Sequence, residues 1–269
     1  MNHNHKPLRL AFELIIAAGI GLLSSCSDSN EETSDNNFDK IMLSSMELSN
    51  DNFSVKLDFI YDDLNRLGEL IYNNRGVEST YFIEYDNLSR IKLIKTAIDT
   101  LLTTEYNSEN SLSSVLFKES QDEKELYTFK YDIDDNIVEI ITTNFFSETA
   151  SAPTSNFLSY DDHHNIIELL SSEKETSSLA TYDAVKNPLH YLNIPNFISY
   201  VVFGIDYEST LSANNLTTLN DLSSKVFYTY EYKYQNDLPV EVRVKYEDSF
   251  DADNIINSEY FVNYTYLEN

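Results

Sequence analysis

The feature that most constrains this chain is a phrase it keeps repeating. "FIYDDLNRLGEL" (Phe59–Leu70) and "IEYDNLSRIKLI" (Ile83–Ile94) are followed by "TEYNSENSLSSV", "FKYDIDDNIVEI", "LSYDDHHNIIEL" and "ATYDAVKNPLHY". The tyrosines at positions 61, 85, 106, 131, 160 and 182 are separated by 24, 21, 25, 29 and 22 residues, and a weaker copy, "YKYQNDLPVEV", starts at Tyr232. Periods of this size mark stacked supersecondary units. Before each tyrosine the side chains alternate: Leu57, Phe59 and Tyr61 against Asp58, or Tyr127, Phe129 and Tyr131 against Lys130. That is the period of a strand with one apolar and one wet face.

After the tyrosine, Asp or Asn opens a polar tetrad in which its side chain can bond the backbone two residues on. Arg66, Arg90, Asn136, Asn165 and Asn187 stand five residues after the tyrosine, where the chain must leave the turn. Asn accommodates a left-handed backbone there at modest cost; Arg does so less readily and must act through its side chain. An apolar strand then returns. With 5 Gly in the chain, Asn and Asp make the turns, and 20 Tyr and 15 Phe favour strands over helices.

The expected fold is therefore all-β, a curled antiparallel β-meander of tandem YD-like hairpin repeats over residues 39–269. Tyr61, Tyr85, Tyr131 and Tyr160 should be buried on one face. Residues 187–224 break the rhythm with two of the five prolines, a mostly apolar run from Phe197 and a candidate helix cap at Asn196. A single sheet can leave only one face wet. This insert is therefore expected to be irregular chain with a short helix, packed over the tyrosine-rich face.

"YDDLNRL" and "YDNLSRI" resemble the YD-repeat of RHS-type proteins, which runs Tyr-Asp, short turn, Gly-Arg, apolar strand. The turn glycine is missing here, and Arg persists only at Arg66 and Arg90. The chain from about residue 40 to the end is more closely similar to Bacteroidota surface lipoproteins built from degenerate copies of that repeat, a domain of unknown function. The resemblance implies an architecture and no activity.

The front end implies an address. Lys6 and Arg9 precede an apolar run, Leu14–Leu23, that is too short for the ~20 helical residues a bilayer core requires. It suits the core of a signal peptide over residues 1–25. "LSSC" resembles the bacterial lipobox, which implies cleavage before Cys26 and acylation of its thiol and new amine. Cys26 is the one cysteine in the chain, so an intramolecular disulfide and a cysteine metal cluster are excluded. Residues 26–38 are acidic and nearly free of apolar side chains, the composition of a disordered tether. An acidic stretch behind the lipidated cysteine is similar to Bacteroidota surface-export signals. It implies an outer-membrane protein, lipid-anchored and facing the extracellular side.

Removing residues 1–25 takes Lys6, Arg9 and Glu13 from the chain's 18 basic and 45 acidic residues and moves the net charge from −27 to −28. Such a polyanion repels phosphate backbones, so nucleic acid is not an expected partner. No catalytic, cofactor-binding or metal residues are assigned. His163 and His164 fall in a repeat turn and read as turn residues, the competing reading being a transition-metal site with Asp161 and Asp162. "DIDDN" at Asp132–Asn136 fails the EF-hand pattern at Ile137 and Thr143, which leaves weak calcium binding at turn carboxylates as the cation reading. "DTL" at Asp99–Leu101 resembles a Bacteroidota O-glycosylation acceptor and implicates Thr100. The expected function is a non-catalytic binding or structural module with an unknown protein or glycan ligand. The alternatives are an extracellular polymer hydrolase and a carrier of a lipid or small apolar ligand on the aromatic face. A hydrolase needs polar groups converging in a pocket, a carrier an open apolar cavity.

Overall fold

The computed structural model describes residues 41–172, 177–192, 194–203, 207–222, 225–248 and 256–268. The signal sequence, Cys26 and the acidic tether lie outside these residues. The first half runs β1 (Ile41–Asn50), β2 (Phe53–Tyr61), β3 (Leu67–Asn74), β4 (Val77–Tyr85), β5 (Ile91–Lys95), β6 (Thr100–Tyr106), β7 (Leu112–Lys118), β8 (Glu123–Tyr131) and β9 (Ile137–Phe146). After a two-residue ribbon, β10 (Thr149–Ala150), come β11 (Thr154–Tyr160), β12 (Ile166–Ser171) and β13 (Ser177–Lys186). A 3-10 turn (Pro188–Leu192), helix α1 (Asn196–Phe203) and helix α2 (Tyr207–Leu211) lead to β14 (Asn214–Asp221), β15 (Val226–Gln235), β16 (Leu238–Asp248) and β17 (Ile256–Glu268).

Each strand pairs antiparallel with the next, and β9 pairs with β11 past the ribbon. β1 then pairs with both β2 and β17, with Met46 opposite Leu57 on one side and Tyr264 on the other. The sheet has no free edge: it is a closed barrel of sixteen strands plus the β10 ribbon. This corrects the expected curled meander of tandem repeats. Hairpins of the kind read from the repeat are present, but twist carries the last strand round to the first, and pairing satisfies edge groups that an open sheet would leave exposed.

The hairpin corners share one construction. In the first, the Asp62 carboxylate accepts the backbone N–H groups of Leu64 and Arg66, both at 2.9 Å, and Asp62 N–H donates to the Arg66 carbonyl at 2.8 Å. The left-handed residue is the fourth after the tyrosine, not the fifth as the sequence reading had it: Asn65 (φ 58°), Ser89 (60°), Asn110 (73°), Asp135 (64°) and His164 (63°). Register then shifts by one residue at each corner, as between Ile60 and Tyr61, which stand opposite Glu69 and Leu67. That bulge turns the sixth and ninth residues after the tyrosine to one side, so Leu67 and Leu70, or Ile91 and Ile94, are both buried.

The corner tyrosines do share the inner face, but they are half-buried at the rim rather than sunk in the core. Each hydroxyl donates to a backbone carbonyl just past the preceding corner. Tyr85 reaches Leu67 at 2.9 Å, Tyr106 Ile91 at 2.9 Å, Tyr131 Leu112 at 2.7 Å and Tyr160 Ile137 at 3.0 Å. Tyr61 to Leu43 at 2.6 Å and Tyr266 to Pro239 at 2.7 Å continue the series across the closure.

The sixth corner opens like the others, with Asp183 accepting from Val185 N–H at 2.8 Å, but does not return directly. The chain dips inside and comes back at Asn214, opposite Lys186. Asn187 ties this loop, donating to the Ser212 carbonyl at 3.2 Å and accepting from Leu189 N–H at 3.0 Å. Leu189, Leu192, Phe197, Ile198 and Val201 are buried in one cluster with inward residues of the strands. So the irregular stretch ends near residue 211 rather than 224, and it fills the barrel instead of covering an open sheet. Asn196 begins α1, with its side-chain amide turned to His190 Nε2 at 3.0 Å. A sixteen-strand barrel is wide enough for an aqueous channel, so a continuous core requires such a filler. Towards β15–β17 the filling is incomplete, where the inward tyrosines Tyr228, Tyr230, Tyr232 and Tyr260 stay half-buried.

Candidate functional site

The wall decides what kind of barrel this is. Lys56, Glu84, Lys95, Lys130, Glu139, Glu231, Lys233, Arg243, Lys245 and Glu259 alternate with the inward residues and point out, forming cross-strand pairs such as Lys233–Glu241 (2.5 Å) and Lys130–Glu139 (2.5 Å). A lipid-facing wall needs an apolar band, and a Lys or Arg at the bilayer midplane costs about 2–4 kcal/mol. Arg243 and Lys245 stand mid-strand in β16, where that cost would draw on a total stability that is typically about 5–15 kcal/mol. β5 has 5 residues and β12 has 6, against the ~9–11 a crossing strand needs. The charged pairs of the wall suit water, and Phe157, Leu170, Leu179 and Phe227 are exposed among them.

No protein-family model matches the sequence, and no curated protein does. Among solved structures, a porin-like protein from Bacteroides uniformis superposes with a TM-score of 0.58 at 17% identity, covering 84% of this chain and 96% of that one. The barrel is what they share. A second porin-like protein, from Bacteroides vulgatus, aligns at a TM-score of 0.39 and 11% identity, over 84% of this chain and 98% of that one. The resemblance to YD-repeat proteins is corrected by the closed pairing and by the superposition on the Bacteroides uniformis protein: the tandem corners build a closed barrel, not a stack of RHS-type units.

The barrel's most distinctive surface is the rim that carries the corners. Neighbouring corners are bridged from the fifth residue after one tyrosine to the fourth after the next. Arg66 Nη1 donates to Ser89 Oγ at 3.2 Å, Arg90 Nη1 to Asn110 Oδ1 at 2.9 Å and Ser111 Oγ to Asp135 Oδ1 at 3.1 Å, while Asn136 Oδ1 faces His164 Nδ1 at 2.9 Å. The two arginines also lie flat on the next tyrosine, each Cζ 4.3 Å from the ring centre of Tyr85 or Tyr106. Between the fourth and fifth corners the rim opens into a cavity of about 460 Å³, lined by Asp132, Asp134, Asn136, Tyr160, Asp162 and His164 with Leu158 behind them.

Asp161, assigned to a metal in the competing reading of "YDDHHN", spends its carboxylate on the corner. It accepts backbone N–H groups of His163 and Asn165, both at 2.9 Å, and the Asn165 side-chain amide at 3.1 Å. His164 is turned to Asn136, and among the described residues no group of three or more His, Cys, Asp or Glu is placed to hold a metal ion. Asp132 is likewise engaged by Asn136 and by the N–H of Asp134, both at 2.9 Å, so "DIDDN" is a corner before it is a cation loop. Thr100 is exposed at the start of β6, on the rim opposite the corners. The cavity itself was missed in the sequence. The signal that could have found it is the loss of Arg from a corner that keeps its Asp.

The rim sets a pH dependence. Burial pushes the phenols of Tyr81, Tyr85 and Tyr191 up to about 12, and those of Tyr61, Tyr131 and Tyr160 up as well. An unfolded tyrosine titrates near ~10. The neutral-phenol contribution is therefore complete below about pH 10 and is lost as pH climbs towards the folded values. Asp86 is held low by the backbone N–H of Arg90. Partial desolvation opposes the same shift at Asp62, Asp132 and Asp161, but their corner hydrogen bonds outweigh it. That contribution is present above the ordinary aspartate value of ~3.9 and disappears as pH falls below it. The urea midpoint should be level near neutrality and fall below about pH 4 and above about pH 10. Asp86→Asn should soften only the acid limb. A midpoint indifferent to pH between about 10 and 12 would show that the rim phenols do not contribute.

Proposed function

We propose that this chain is an outer-membrane lipoprotein whose closed, plugged barrel stands at the surface as a non-catalytic binding module. The observation that carries the reading is the pairing of a charged outer wall with an apolar, helix-filled interior, the reverse of a pore in lipid. With such a wall, attachment falls to the N-terminus, where Cys26 is the acylation site at the head of the tether over residues 26–38. Two or three acyl chains, at ~0.8 kcal/mol per buried CH₂, hold a protein without a spanning element. The porin-like likeness supports an outer-membrane location, and the acidic tether supports an outward-facing one. Thr100, exposed and distant from the corner rim, is accessible for O-glycosylation.

The test is fractionation of cells expressing the full chain or Cys26→Ala, with planar-bilayer conductance on the purified protein. The wild type should sediment with membranes and conduct no current, and Cys26→Ala should appear in the soluble fraction. Retention of Cys26→Ala through a carbonate wash, or discrete channel openings, would establish a spanning pore instead.

A further inference from the structure

We propose that the cavity between the fourth and fifth corners is a recognition site for a guanidinium group carried by a ligand of this module. The inference rests on the binding-module reading and names the chemistry of its site. The protein supplies the template twice. At the first corner the Arg66 guanidinium is held by Asp62 Oδ2 through Nε (2.8 Å) and Nη2 (2.7 Å), stacks on Tyr85 and bonds Ser89. At the second, Arg90 repeats this arrangement with Asp86 (Nε at 2.8 Å), Tyr106 and Asn110. Three elements define the cradle: a corner carboxylate, the face of the next tyrosine, and an acceptor on the following corner.

The other corners differ in an ordered way. The third has Asn107 where the carboxylate would be and Ser111 where the arginine would be, so charge and counter-charge are absent together. The fifth keeps Asp161, but its Asn165 is bonded to Asn214 in both directions, at 3.1 and 2.8 Å, and the returning insert occupies the space. Only the fourth, among these described corners, keeps the carboxylate of Asp132 and the ring of Tyr160 with open space between them. Asn136 reaches Asp132 Oδ2 at 2.9 Å, in place of the arginine Nε, but is too short to cover the ring.

The result is a cavity that keeps two of the three elements; the third position is His164, whose Nδ1 faces Asn136 Oδ1 at 2.9 Å. Its rim adds Asp134 and Asp162, whose carboxylates accept no hydrogen bond and form no ion pair among the described residues. A planar guanidinium can stack on the tyrosine and offer a fork of donors to the carboxylates, which a lysine ammonium cannot do together. The volume of about 460 Å³ also admits the methylenes that carry the group. The large negative charge of the chain draws cations to the rim but does not select among them.

The test titrates the purified full chain with N-acetyl-arginine amide and N-acetyl-lysine amide at equal ionic strength, followed by calorimetry and by the His164 imidazole resonance. Arginine amide should saturate, with lysine amide at least about tenfold weaker. Asn136→Arg, which installs the residue found at the first two corners, should abolish binding and raise the thermal midpoint. Asp134→Asn with Asp162→Asn should weaken binding without lowering that midpoint. Tighter binding of Gly-Arg-Gly than of the amide identifies a peptide arginine as the source, and equal binding a free guanidinium compound. Equal responses to arginine and lysine amides, or undiminished binding by Asn136→Arg, would overturn the proposal. The fractionation and conductance measurements do not depend on this titration, so its failure would leave the placement of the barrel standing.

Discussion

Ile140→Asp should leave the protein unable to hold its fold in dilute urea, whereas Thr103→Lys should shift its stability by no more than about 0.5 kcal/mol. Ile140 is fully buried on the inner face of β9, between Phe129 and Asn156 of the neighbouring strands. A carboxylate there loses the isoleucine's burial and adds an unpaired buried charge, each worth several kcal/mol, against a typical total of about 5–15. Thr103 is exposed on the outer face of β6, between Leu93 and Leu116, where a lysine joins a wall already carrying lysines. A barrel facing lipid on the outside and water within would rank the two substitutions the other way. Urea unfolding of both variants, followed by tyrosine fluorescence, checks the sidedness directly. Equal losses would show that inner and outer positions have been confused.

Phe197→Ala should cost about 3–5 kcal/mol, the usual range for removing a large aromatic from a core. This ring, on the first turn of α1, anchors the plug to the wall. It meets Phe129 edge-on at 4.5 Å and Tyr127 at 5.1 Å, and lies 5.4 Å from Tyr200 on its own helix. Truncation would leave a void that β8 and the helix cannot collapse into together. Phe197→Leu, which keeps part of the contact, should lose markedly less. The measurement is the urea midpoint at constant m-value, which separates a weakened core from a changed unfolded state. A loss below about 1 kcal/mol would mean that the plug only occupies the barrel and does not hold it together.

The local rules were written in the sequence because they act over a few residues. Tyr-Asp with an apolar residue at the sixth and ninth following positions defines a corner, its Asx hydrogen bonds and its bulge, and alternation defines which side chains go in. The left-handed position falls one residue before the fifth place that the spacing predicts, at Asn65 and Asp135, and the arginine's role lies partly outside its own turn. It bonds Asp62 and covers Tyr85, and a single corner viewed alone contains only half of that contact. The cavity beside Asn136 was hidden for the same reason. It exists only where one corner's missing arginine meets the next corner's tyrosine.

Closure and filling belong to the tertiary structure. Every hairpin obeys the same pairing rule in an open meander and in a barrel, so the rule cannot choose between them. The choice is made where Leu43 meets Tyr266, at opposite ends of the chain, once the twist of successive bulged hairpins has brought the two edges together. The insert from Asn187 to Ala213 announced itself by its prolines and its apolar run, but whether such a segment covers a sheet or enters a barrel depends on whether the barrel closes. The sequence by itself determined the corners, the strand faces and the charge of the wall, because each is set by neighbours a few residues away. The fold alone decided that the ends join, that the insert lies inside and that a cavity opens between the fourth and fifth corners, because those contacts link residues that only the closed barrel brings together.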